Sequence, residues 1–455
     1  MKEIKLPEGA KEILGLLHES KYEAFVVGGC VRDSLLGMEP HDWDICTDAT
    51  PDQVKSCLHD FNIIETGIKH GTVTVMSHDA AYEVTTYRVD GQYTDHRRPD
   101  SVSFTRNLYE DLSRRDFTIN AMAYNDDVGL VDIFGGRGDL DLEVIRCVGD
   151  ANERFEEDAL RVLRALRFAS TYGYTIAYQT SAAIHSKAKL LDYVAKERIY
   201  SELKTMLMGR GVLTVLLQYK DVICQIIPEL KPCVGFQQNN PYHCFDVYEH
   251  IANSVNNYQG DDLVVRLTLL LHDIGKPLCY SENETGGHFH GHAKVSQEIA
   301  KTVLERLKVD NTTRHDVLEL VLFHDLVTEV SPKFVKKWLN KLGEQQFRRL
   351  MQVRRADVMA QSGKGLDERL MKCGNIEYLI DLVVSEDQPF TLKDLAVNGY
   401  DLMDLGMPAG RELGSMLQRL LDMVIDGEVE NDRYQLLDIA QMILSGPQEP
   451  LNGGE

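Results

Sequence analysis

The sequence predicts an α+β chain: a mixed-sheet head with helices, followed by an all-helical neck, body and tail. A change of pattern near residue 150 is the main sign. Before Gly149 short β-rich runs alternate with turns, whereas beyond Asn152 long helical patterns dominate and strand candidates are few. In the head, GTVTVM (residues 71–76) and YEVTTYRV (82–89) carry β-branched residues with a period of two, as strands do. In the neck, EEDALRVLRALRFAS sets Val162, Leu166 and Ala169 on one helical stripe and fans Arg161, Arg164 and Arg167 over another. Toward the carboxy terminus Leu413, Leu417, Leu420 and Val424 form a further stripe set off by glycines. The expected divisions are residues 1–149, 150–225, 226–370 and 371–455.

Composition bounds the function. Of the 455 residues 43% are hydrophobic and 26% charged, the balance of an ordinary water-soluble protein with room for several cores. No apolar run approaches the roughly 18 residues of a membrane span, and the opening MKEIKLPEGAKEILGLL lacks the apolar core of a secretion signal. Nine cysteines without CxxC pairs fit reduced thiols better than disulfides or a zinc ribbon. A cytoplasmic location is expected, with no membrane association and no stable protein partner implied. The net charge of −22 argues against a bulk electrostatic grip on nucleic acid, which rests on Lys and Arg displacing counterions. Any such grip must be local.

The run FVVGGCVRDSLLGMEPHDWDICTDATP (residues 25–51) concentrates chemistry. An apolar strand stops at Gly28-Gly29, where the backbone can approach a ligand closely, and the helix beginning near Cys30 offers unpaired N–H groups to a phosphate. Arg32 sits in its first turn. Asp42 and Asp44 flank Trp43, so the two-residue period of a strand places both carboxylates on one side. Two hard oxygen ligands so spaced suit Mg²⁺, which keeps its waters and shares substrate phosphates, and they fit two-metal phosphoryl or nucleotidyl transfer.

Taken together, GGxxRD, the DWD pair, RRDFTINA (residues 114–121) and EDALRVLRALRF (157–168) resemble the class II tRNA nucleotidyltransferases, the CCA-adding enzymes, and the related bacterial poly(A) polymerases. The resemblance runs through the carboxy-terminal segment. It implies a polymerase-β-like nucleotidyltransferase head in which Asp42 and Asp44 hold the catalytic Mg²⁺, Gly29 and Arg32 contact the triphosphate, and Arg115 binds nucleotide. Arg114, Asn120 and a third carboxylate, Glu83, are further candidates. The implied partners are tRNA, CTP and ATP, and the implied reaction is untemplated addition of CMP, CMP and AMP to the tRNA 3′ end. A poly(A) polymerase would share the head.

Asp158 and Arg161 stand at i and i+3, which puts them on neighbouring parts of one helix face. A carboxylate only accepts and a guanidinium only donates, so the pair suits a base with an exocyclic amine beside a ring-nitrogen acceptor. Cytosine and adenine have that pattern; uracil and guanine do not. Arg164 and Arg167, which the family also uses near the nucleotide, extend the basic stripe. The polar stretch DGQYTDHRRPDSVSF (residues 90–104) reads as a mobile loop. In the family a loop here accompanies the switch to the terminal A, so its retention favours full CCA over CC addition, with Asp95, Arg97 and Arg98 as loop candidates.

A second constellation resembles the HD superfamily of metal-dependent phosphohydrolases. It comprises His250, His272-Asp273 in LLLHDIGKP, His292 in HFHGHAKV, His324-Asp325 and Asp357. His250, His272, Asp273 and Asp357 would hold one Mn²⁺, Ni²⁺ or Fe²⁺, and a second ion would need His292 and His324. The implied reaction is a phosphatase or a 2′,3′-cyclic phosphodiesterase acting on RNA ends. The rival reading makes this the main activity and the head degenerate.

Overall fold

The computed structural model of the chain describes residues 4–65, 67–91, 101–284, 286–363 and 365–445. The loop candidates Asp95, Arg97 and Arg98 lie outside them. The chain divides into two compact units, residues 1–232 with 302–309, and residues 233–301 with 310–455.

The first unit is built on a seven-stranded mixed sheet. Its strands are β1 (Ala24–Val27), β2 (Trp43–Thr47), β3 (Asn62–Ile64), β4 (Thr72–Ser77), β5 (Ala80–Thr86), β8 (Ala123–Asn125) and β9 (Gly129–Val131), and they lie in the order β3-β4-β5-β2-β1-β8-β9. Only the β2–β5 pair is parallel. All four residues of β1 are buried, as its unbroken apolar run requires of a central strand. The run at residues 82–89, expected as one strand, breaks at Tyr87. The fully buried Tyr87 gives its N–H to the Thr47 carbonyl, and the chain then leaves the sheet as β6 (Arg88–Asp90), which pairs with β7 (Val102–Phe104).

Helices follow the sheet. Ala151–Glu157 and Leu160–Tyr172 are separate helices, and the second packs on Lys196–Leu207. Val162, Leu166 and Ala169 are buried on it while Arg161, Arg164 and Arg167 stay partly exposed, which is the stripe the sequence predicts.

In the second unit the helices Val247–Asn257, Asn311–Phe323 and Glu344–Met359 pack around Leu263–Leu271. Every residue of that central helix from Val264 onward is buried, so its apolar character all round is spent on packing. Gly275, just beyond it, lets another helix approach: a Cβ there would stand 2.6 Å from the Ser296 nitrogen. A separate cluster closes the tail, where Leu420 and Val424 of the helix Arg411–Asp426 are buried and Leu413 and Leu417 pack at its margin.

Candidate functional sites

Gly28 ends β1 with φ 84° and ψ −126°, a conformation that favours glycine, and caps the helix Gly29–Leu36. A Cβ on Gly28 would stand 3.1 Å from Arg115 Nη1. Asp42 lies one residue before β2 and Asp44 within it, and since β2 runs antiparallel beside β1, both line the same cleft as the turn that ends β1. Gly29, Arg32, Asp42, Asp44, Arg115, Asp158, Arg161, Arg164 and Arg167 all line one cleft of about 460 Å³. Gly28, Arg114, Asp116, Asn120, Leu160, Phe168 and Arg198 complete it. The chain is acidic overall, yet seven arginines meet four aspartates here, so the basic strip is local.

The arginines are held rather than loose. Arg32 bonds to Asn120 Oδ1 (2.5 Å) and to Asp33 (2.8 Å), with its guanidinium 5.2 Å from the Phe168 ring centroid. Arg164 bonds to Asp116 at 2.6 Å, and Arg167 to Glu202 at 2.6 Å while lying 3.9 Å over Phe168. Burial raises the Asp116 carboxyl, but Arg164 and Asn120 outweigh it and hold the group down at about 2. Arg115 bonds to Asp111, and its buried Nε has no protein partner among the described residues. Burial, then the neighbouring Asp42, and Glu83 besides, push Asp44 up to about 6 against the pull of Arg115. That stress on a carboxylate is what a bound cation relieves, so the acids fit a metal. Glu83 sits opposite Asp44 in the parallel β2–β5 register and is exposed.

One expectation fails. Asp158 is not on the helix face with Arg161, because the helix begins at Leu160 and Asp158 is extended between two helices. Its Oδ1 accepts the Leu160 N–H at 3.1 Å, one of the donors a helix start leaves unpaired. Nor do the two side chains pair: Arg161 turns to Glu157, and Asp158 to Arg198 at 3.1 Å.

The second cluster is buried. His272 caps the carboxy end of Leu263–Leu271, and His324 that of Asn311–Phe323. Each gives its Nδ1–H to the carbonyl three residues earlier, Leu269 (2.8 Å) and Val321 (2.7 Å); His292 does the same to Phe289 (2.8 Å), and His250 to Ala360 (3.3 Å). These bonds fix the tautomer and turn four Nε2 lone pairs inward. The Nε2 atoms then face each other at 3.1 Å (His292 and His324) and 3.4 Å (His250 and His272), a spacing that needs a proton or a metal cation among them.

Two groups each bring three donor atoms within 4.8 Å: His250, His272 and Asp273, and Asp273, His292 and His324. Asp273 is common to both, its Oδ2 3.2 Å from His250 and His272 and its Oδ1 3.3 Å from His292 and 3.4 Å from His324. Asp357 lies 3.0 Å from His250. Burial works against charge on His250, yet Asp273 and Asp357 push it up to about 9, so the cluster demands positive charge. The donor set suits a transition metal. Beside it a recess of about 250 Å³ is lined by Lys276, His243, Arg354 and Asp325 among others. Lys276 Nζ lies 2.6 Å from Asp273, and its signal in the sequence is its place three residues after that acid in HDIGKP. Asp116 was likewise visible in RRDFTINA as the acid that an arginine-rich run needs. Arg198 had no local signal.

Three family models match the chain: the poly A polymerase head domain over residues 24–146, a probable RNA and SrmB-binding site of polymerase A over 173–233, and the HD domain over 241–361. A CCA-adding enzyme of Leuconostoc mesenteroides is 46% identical over 451 residues, covering 97% of this chain and 98% of that one. One of Levilactobacillus brevis is 34% identical over 439 residues, covering 94% and 96%. Among solved structures, the Bacillus stearothermophilus CCA-adding enzyme in complex with CTP is 28% identical with a TM-score of 0.69, covering 96% and 98%. The Thermotoga maritima enzyme complexed with tRNA, 20% identical with a TM-score of 0.64 and covering 97% of each chain, shares the fold.

Proposed function

Because this chain belongs to the family of CCA-adding enzymes, a family of nucleotidyltransferases, we propose that its head adds CMP, CMP and AMP from CTP and ATP to the 3′ end of tRNA. The observation that carries this reading is the single cleft in which the Asp42/Asp44 pair meets the Gly28-Gly29 turn and the arginine strip. Asp42 and Asp44 would hold Mg²⁺, which lowers the pKa of the attacking hydroxyl and offsets charge on the triphosphate. Gly29 and Arg32 receive the triphosphate, aided by Arg115, whose unmatched Nε is a donor awaiting an acceptor. Asp158 accepts from the exocyclic amine of C or A and Arg161 donates to the ring nitrogen, so discrimination needs no template. Arg164 and Arg167, braced by Asp116 and Glu202, line the approach. The helical segments grip the tRNA through shape and backbone.

The proposed divisions remain head 1–149, neck 150–225, HD part 226–370 and tail 371–455, with action in the cytoplasm. A second activity is favoured by the four inward-facing imidazoles: phosphate-ester hydrolysis at the HD cluster. There a Mn²⁺, Ni²⁺ or Fe²⁺ ion would be held by His250, His272, Asp273 and Asp357, and a second by Asp273, His292 and His324, supplying a nucleophilic water at neutral pH. Lys276 and Arg354 would bind the phosphate oxygens.

The test is to give the purified chain tRNA lacking CCA with all four nucleoside triphosphates and to sequence the ends. One CCA triplet supports the reading, a tail of A residues turns it to a poly(A) polymerase, and no extension refutes the head. With the same protein, His272→Ala should abolish Mn²⁺-dependent hydrolysis of bis-p-nitrophenyl phosphate and spare extension.

A further inference from the structure

A carboxylate and a guanidinium three residues apart are well placed to neutralise one another, and a pair locked together has little left for an incoming base. The fold keeps Asp158 and Arg161 apart. Arg161 bonds through Nη1 to Glu157 and to the Arg154 carbonyl (3.1 Å), and through Nη2 to the Arg114 carbonyl (2.9 Å). Asp158 takes the Leu160 N–H on Oδ1 and Arg198 Nη2, at 3.1 Å, on Oδ2.

We infer that Arg198 is a positioning residue for nucleotide selection, holding the Asp158 carboxylate away from Arg161 so that both can meet the edge of the base. The inference rests on the proposed reading of the head. Arg198 belongs to the helix Lys196–Leu207, which is anchored against Leu160–Tyr172 through buried Ile199, Leu203 and Met206. One turn further on, Glu202 of the same helix bonds to Arg167 at 2.6 Å. Residues four apart share a helix face, so this face presents a cation to Asp158 and an anion to Arg167, and braces both from outside the segment that carries them. Arg198 also lines the cleft itself.

The chemical consequence concerns uracil. It offers a carbonyl where cytosine offers an amine, and a fixed carboxylate repels that carbonyl. With Arg198 removed, Oδ2 of Asp158 loses its partner, and two other arginines of the cleft, Arg161 and Arg164, are left to draw it, Arg164 already feeling its charge. The carboxylate then turns away, and the rejection of uracil weakens along with the recognition of cytosine.

The experiment measures kcat/KM for CTP and for UTP, with tRNA lacking CCA, on the full chain. Arg198→Met is expected to lower the CTP-to-UTP ratio at least about tenfold, mainly through the KM for CTP, and Arg198→Lys to recover most of it. The inference is overturned if a folded Arg198→Met keeps the wild-type ratio, or slows both nucleotides alike, or is not rescued by Lys. If Arg198→Met does not fold, Arg198→Gln takes its place under the same criteria. Wild-type chain that incorporates no C at all would instead refute the reading of the head.

Discussion

The head cleft and the HD cluster both gather acids around a place for a cation, but they finish the job to different degrees. In the cleft Asp42 is exposed and Asp44 half-buried, and the arginines around them already have protein partners. In the cluster six side chains that could hold a metal are buried, and each imidazole is aimed by a backbone carbonyl. On the proposed reading the cleft would offer two carboxylates and leave the remaining positions to substrate oxygens, as Mg²⁺ sites at nucleotides do. The cluster, on the proposed reading of the HD part, would supply a nearly whole ligand shell before any substrate arrives. On that reading one site is completed by its substrate and the other by its own fold.

The sharpest way to break this contrast is Asp44→Ala. Nucleotide incorporation should fall about a thousandfold or more, since the charge-stabilising ion loses its anchor, while hydrolysis at the HD cluster is unchanged. Incorporation near the wild-type rate would mean the cleft does not depend on its acids. Next in size is metal binding without substrate. Mn²⁺ at about a hundred times its Kd should stabilise the chain by about 2.7 kcal/mol, read as a rise in thermal midpoint that Asp273→Asn removes. An equal rise in Asp273→Asn would place the ion elsewhere.

The Asp116–Arg164 pair sharpens the comparison from the side of pH. Asp116 sits at about 2 in the folded chain, below the 3.8 of an ordinary aspartate, so its stabilisation is present above pH 3.8 and is lost as pH falls through 2. The difference amounts to about 2 kcal/mol. In urea titrations the stability gap between wild type and Asp116→Asn should therefore shrink by that amount on going from pH 5 to below 2. A gap constant with pH would show that the pair is not what holds the carboxyl down. The smallest effect is expected of Gly28→Ala, about 1–2 kcal/mol in stability from the positive φ, with a raised KM for CTP as Arg115 is displaced. An unchanged KM would detach the turn from the triphosphate.

What could be read in advance was local. The Asp42/Asp44 spacing, the glycine turn, the arginine stripe on the neck helix and the adjacent His272-Asp273 all depend on the backbone repeat over a few residues, and the periods of strand and helix index them directly. The misplacement of Asp158 shows the limit of the same rule. A spacing of three means a shared face only if the helix runs through both residues, and here the chain turns between two helices just at that point. Likewise the period-two pattern at residues 82–89 carried on through Tyr87, although the backbone leaves the sheet there.

By itself, then, the sequence determined which chemical groups exist, which of them are neighbours along the chain, and that a β-rich part precedes a helical one. Only the tertiary structure decided their partners: Arg198 for Asp158 across 40 residues, Arg164 for Asp116 across 48, and one aspartate shared by two pairs of histidines. The physical reason is that local periodicity comes from backbone geometry, which every residue reports. Long-range partnership comes from how buried helix faces pack, and no single stretch of chain encodes that.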